Sequence, residues 1–108
     1  MPLSRYVFLI KADGYPSEGS TVVLPTEAFT TTVFAAPRLE AHLKACARLV
    51  DEGAQLVELC GGFSESDARA VRESVGPGVP VGHVQFDAEN RARLERLVPC
   101  QVDELHKW

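Results

Sequence analysis

The stretch AQLVELCGGFSESD, residues 54–67, decides the fold. Its first seven residues, AQLVELC, form a mostly apolar run of strand length that Glu58 interrupts. Runs that are apolar on both faces suit a central strand of a covered sheet. Gly61-Gly62 ends the run, because a glycine pair breaks a strand and permits a tight turn. Ser64 and Asp67 then make a Ser-x-x-Asp start that resembles a capping box, so a helix is expected to run to about residue 75, with Ala68, Val71 and Val75 on its apolar side. Strand, glycine turn and helix in this order are the first half of a β-α-β unit, and a parallel strand is expected after them.

The rest of the chain fits around that unit. After Gly76-Pro77-Gly78, the segment VPVGHVQF at 79–86 reads as the next strand. Before it, residues 38–52 read as a helix, with Leu39, Leu43, Cys46 and Val50 on one stripe and Leu49 widening it. Pro37 suits the first turn of that helix, and Gly53 ends it. Earlier still, YVFLIKA at 6–12 and TTTVFAA at 30–36 read as strands, while TVVL at 21–24 reads as a short strand or a helical turn. Asp87 is placed to cap a last helix over 88–98 with Leu94, Leu97 and Val98 inward, and Pro99 stops it. The tail to Trp108 has no clear pattern, though Leu105 and Trp108 are able to dock on the body or on a partner chain.

Strands alternating with helices imply a mainly parallel sheet with right-handed crossovers. The expected fold is a small three-layer α/β/α domain spanning residues 1–108, with a four-stranded sheet and helices on both faces. A ferredoxin-like α+β arrangement is the alternative, should 21–24 and 30–36 pair as a hairpin.

Bulk properties narrow the function classes. The chain has 108 residues, a length that fits one domain. Apolar residues at 45% and charged residues at 24% are globular values. A net charge of −4 with no Lys/Arg cluster argues against nucleic-acid binding. Arg91, Arg93 and Arg96, interrupted by Glu95, read as a solvated helix face, with phosphate binding as the alternative. Cys46, Cys60 and Cys100 are an odd count without a CxxC pair, which argues against a disulfide framework and a zinc site. His42 and Cys46 lie at i, i+4, but Cys46 belongs to the apolar stripe, so packing explains both. The N-terminal apolar run is too short for a signal peptide, and no stretch approaches a membrane span. A cytoplasmic protein without membrane contact is expected, and no cofactor or metal motif is present.

The segments GAQLVELCGGF (53–63) and VPVGHVQFD (79–87) resemble a family of small bacterial proteins of about this length, known only as a domain of unknown function. Its members carry a Glu-Leu-Cys-Gly-Gly stretch after a helix, matched here by residues 58–62, and a Val-Gly-x-Val-x-Phe-Asp strand, matched by 81–87. The resemblance covers roughly residues 6–87. It supports an α/β fold and marks Glu58, Cys60, Gly61 and Gly62 as a motif, and it supplies no activity. Two departures stand beside the expected site. The loop at 13–20 is shorter than in the family, and a charged helix replaces a Gly-rich tail after Asp87.

In open parallel sheets, ligands bind outside the carboxyl ends of the strands. Polar residues at those ends break the apolar pattern and mark the candidate site. Glu58 reads as a general acid or base, or as a carboxylate paired with Lys11 or an arginine. His83 reads as its acid/base partner or as a satisfied core histidine. Cys60, just before a helix start, reads as a thiolate nucleophile or as a small core residue. Gly61, Gly62 and Ser64 offer backbone N–H groups to an anion. Lys11, Asp13, Tyr15, Gln85 and Asp87 are the remaining candidate ligand-binding residues.

Two functions follow from this set. One is a cofactor-independent acid/base enzyme (a lyase, isomerase or cyclase) acting on a small anionic or carbonyl compound. The other is a non-catalytic, homo-oligomeric interaction or regulatory module, with Phe29, Phe34 and Trp108 as contact candidates.

Overall fold

A computed structural model of the chain describes residues 2–98. The elements run β1 (Arg5–Lys11), β2 (Ser20–Pro25), β3 (Thr30–Ala36), α1 (Leu39–Asp51), β4 (Leu56–Leu59), α2 (Glu65–Val75), β5 (Val81–His83) and α3 (Ala88–Glu95). They form one mostly parallel sheet in the order β2-β3-β1-β4-β5, so the α/β class expected from the sequence is what the structure shows. Only β2 runs antiparallel, against β3.

The sheet has five strands where four were expected. TVVL is a full strand and pairs with β3 as a hairpin, with Val22 opposite Val33 and Val23 opposite Thr32. That hairpin was the condition for the ferredoxin-like alternative. The alternative fails all the same, because β3, β1, β4 and β5 are mutually parallel.

The core lies on one face of the sheet. Val7 and Leu9 of β1, Phe34 and Ala36 of β3, and Val57 and Leu59 of β4 meet Ala45, Cys46 and Leu49 of α1 and Ala68 and Val71 of α2. The crossovers β3-α1-β4 and β4-α2-β5 move along the sheet in the same direction, so right-handed connections place α1 and α2 on the same side, where helices on both faces were expected. The α1 stripe is rotated from the expected one. His42, Ala45, Cys46 and Leu49 are buried, while Leu39, Leu43 and Val50 are only half-buried.

Local signals hold these elements in place. The Gly53 backbone has φ 105°, its N–H donates to Val50 O, and the Ala54 N–H donates to Leu49 O, closing α1 with a left-handed glycine turn. At α2 the capping box forms both ways: Ser64 Oγ accepts from the Asp67 N–H, and Asp67 Oδ2 accepts from the Ser64 N–H, each at 3.1 Å.

Two elements are shorter than their sequence suggests. The expected strand over 79–86 keeps its ladder only at Val81–His83, because its partner β4 ends at Leu59 and the chain then turns at Gly61. The last helix stops at Glu95 rather than 98, with Val98 buried and Leu97 out in solvent instead of inward. Trp108, Leu105 and Cys100 lie outside the described residues.

Candidate functional site

Strand register settles which polar groups meet. Side chains alternate across a strand, and aligned residues share a face. Leu9, Leu59 and His83 form one row across β1, β4 and β5, so His83 points to the helix side. Phe8, Glu58 and Gly82 form the adjacent row, so Glu58 points to the opposite side. The expected Glu58–His83 pairing is therefore not what the fold assembles, since the sheet itself stands between the two groups.

Each group has another partner. Glu58 Oε1 accepts a 2.6 Å hydrogen bond from the Tyr6 hydroxyl. Burial, then this bond and the carboxylate's charge, push the Tyr6 phenol up to about 12. Gly82 sits beside the carboxylate, where an added Cβ would come 3.5 Å from Glu58 Cγ. Lys11, the other expected partner of Glu58, lies on the helix side and pairs instead with Asp67 Oδ2 at 3.2 Å. The register explains the miss: Lys11 aligns with buried Ala36 and shares its face.

His83 lies at the end of β5, and its Nε2 is 2.9 Å from the Phe63 carbonyl. A carbonyl only accepts, so Nε2 carries the proton, and Nδ1 keeps its lone pair. That lone pair faces the Gln85 side-chain amide, which donates to it at 3.2 Å. The ring is thus oriented from behind by a backbone carbonyl and in front by the Gln85 amide.

A cleft of about 210 Å³ opens beside this ring. Gly61 and Ser64 bound it at the start of α2, His83 and Gln85 at the end of β5, and Arg91 and Leu94 on α3. Phe86 also lines it and explains Gly61. An added Cβ on Gly61 would come 3.2 Å from the Phe86 ring, so the glycine is there for close approach; its φ is not in the positive region. Two broader hollows, of about 530 and 470 Å³, lie along α1 and at the end of α2 and hold none of the strand-end polar groups.

Arg91 was missed as a site residue. Its signal was present: Arg91, Leu94 and Val98 fall at i, i+3 and i+7, one helical face, and Val98 is buried. Arg93, by contrast, does sit on the solvated face, with Glu89 at 3.4 Å. Among the described residues Arg91 forms no ion pair.

The strand order reverses between β1 and β4. There Cys60 Sγ accepts the Lys11 N–H at 3.4 Å and the Gly62 N–H at 3.3 Å. Cys60 is half-buried and packs against the core. Asp13 and Tyr15 sit exposed on the β1–β2 loop. Asp87 caps α3, accepting the Asn90 N–H at 2.8 Å, and its bonds to Asn90 hold its carboxyl below the usual aspartate value.

His42 is the buried polar group that the sequence reading treated as packing. It is fully buried, stacked edge-on between Phe34 and Phe63, with Nε2 3.0 Å from the Ala36 carbonyl. Nδ1 has no partner. Burial lowers its pKa.

Fold and cleft together define a small open-sheet α/β protein with a crevice outside the carboxyl ends of β4 and β5. The chain belongs to the DUF6506 family, a family of unknown function whose model matches residues 4–98. No curated protein and no solved structure matches the chain. Among the described residues, no helix is long and apolar enough to cross a membrane.

Proposed function

We propose that the protein binds a small carboxylate or carbonyl compound in the cleft beside His83, and that His83 exchanges a proton with it. The observation that carries this reading is the convergence of His83, Gln85, Ser64 and Arg91 on one cleft of about 210 Å³. That volume is below the roughly 300–1,000 Å³ of sites for drug-sized ligands and suits a small metabolite. Arg91 supplies the cation, in a forked geometry matched to a carboxylate. His83 supplies an imidazole whose Nδ1 meets only the exposed Gln85 amide among the described residues, a bond that a ligand can replace. Proton exchange without a cofactor is the chemistry of a lyase, isomerase or cyclase. Glu58 stands outside this site. Cys60, Gly61 and Gly62 shape the turn behind it.

The test is calorimetric titration with acetate, pyruvate and malonate as probes, on the wild type and on Arg91→Gln and His83→Asn. Binding of at least one probe is expected, weakened ten- to a hundredfold by Arg91→Gln, the about 1.5–3 kcal/mol of a charge-assisted hydrogen bond. Equal affinity in the wild type and both variants would place the ligand elsewhere.

A further inference from the structure

Among the described residues, no helix covers the second face of the sheet. Tyr6, Phe8 and Ile10 of β1, Val33 of β3, and Val22 and Leu24 of β2 align on it through the ladder registers. None of them belongs to the core that α1 and α2 cover. Val22 and Leu24 are 54% and 57% exposed, and every residue of the edge strand β2 is exposed. That strand carries no charged residue, and its only edge protection is the terminal Pro25.

We infer that this face is where a second copy of the chain docks, sheet against sheet. Area supports that occupant. Five strands spaced about 4.8 Å, the longest about 20 Å, give each face roughly 400–500 Å² in projection. Two such faces bury on the order of 1,000 Å², the size that a specific interface has to reach. Charge points the same way. The single ionisable side chain inside the face's ladder, besides the Tyr6 phenol, is Glu58. It is already bonded to that phenol and lies towards the short β5 edge. The apolar part spans β1, β3 and β2 and offers no charge for an oppositely charged partner to read. Two copies meeting there bury these apolar groups together with the Tyr6–Glu58 pair, whose hydrogen bond is already made within each chain. Phe29, which stacks near Tyr6 at 6.2 Å, fits this interface, whereas Phe34 does not, being buried in the core.

This inference is independent of the cleft, which lies on the other side of the sheet. The experiment is sedimentation velocity of the full chain at roughly 100 μM, well above a micromolar dissociation constant. The expected species has twice the 11.8 kDa chain mass. Phe8→Glu, at the centre of the face, is expected to give a monomer with unchanged circular dichroism. Val22→Lys, at an exposed edge position where folding is not at stake, is expected to weaken the dimer at least tenfold. A wild-type monomer at that concentration overturns the inference, whatever else covers the face. So does a dimer that Val22→Lys and a folded Phe8→Glu both leave intact.

Discussion

The Tyr6 hydroxyl donates a 2.6 Å hydrogen bond to Glu58 Oε1 across the β1–β4 ladder, on the sheet face opposite His83. Burial and this bond hold the phenol protonated up to about 12, against its ordinary 10.0. A spectrophotometric titration should therefore resolve a late tyrosine ionisation that Tyr6→Phe removes. Glu58→Gln should move it down towards 10.0, but not fully, because burial is the larger cause. The folded value is the raised one. The associated stability is thus complete below pH 10.0 and is lost as pH rises towards about 12.

His42 gives the acid side. Its folded pKa lies below the ordinary 6.5, because burial disfavours the charged ring. The unfolded chain takes up that proton first, so the contribution to stability is complete above pH 6.5 and falls as pH drops below it. Chemical unfolding across that range should show a loss that His42→Phe removes, since a phenyl ring fits between Phe34 and Phe63 without a proton to take up. An unchanged acid slope in His42→Phe would assign the sensitivity to other groups.

The cysteines should differ in reactivity. Cys46 is fully buried in α1, and burial pushes its thiol up to about 11. Cys60 is half-buried at a strand end. A maleimide at neutral pH should leave Cys46 unmodified until the protein is unfolded, as read by peptide mass mapping. Labelling of Cys46 in the native protein would mean that α1 opens locally.

Core and cap substitutions should separate in magnitude. Leu59→Ala removes a fully buried side chain from the middle of the core and should cost about 2–5 kcal/mol by denaturant unfolding. Ser64→Ala removes one hydrogen bond of the capping box and should cost about 1 kcal/mol. Gly61→Ala places a methyl group 3.2 Å from Phe86 and should perturb the cleft more than the stability, because the site is exposed.

Sequence carried the local part of this molecule and lost the long-range part. Residues 54–67 announce strand, turn and capped helix because apolar run, glycines and Ser-x-x-Asp are contiguous signals. The length of β5 is not local; it depends on where β4 ends. The expected Glu58–His83 pairing rests on both lying near the carboxyl ends of strands, and the face each one takes is fixed by register with a neighbour and not by alternation alone. Glu58 stands out in the sequence as a polar break in an apolar strand. Its partner, Tyr6, lies 52 residues earlier, and nothing near Glu58 in the sequence points to it. His42 sat at the margin of the expected stripe, and a small rotation of α1 made it central. Arg91 was hidden among Arg93 and Arg96, whose shared charge masked the one position that shares a face with Leu94 and Val98.

The measurement that bears most directly on the cleft is an amide chemical-shift map of the folded protein titrated with the tightest-binding of the carboxylate probes. Shifts confined to Gly61–Ser64, His83–Phe86 and the α3 face of Arg91 and Leu94 are expected, with the His83 ring nitrogens moving as Nδ1 exchanges its Gln85 bond for the ligand. Shifts centred on Tyr6, Phe8 and Glu58 instead, with the His83 ring unmoved, would contradict the assignment and put the site on the opposite face of the sheet.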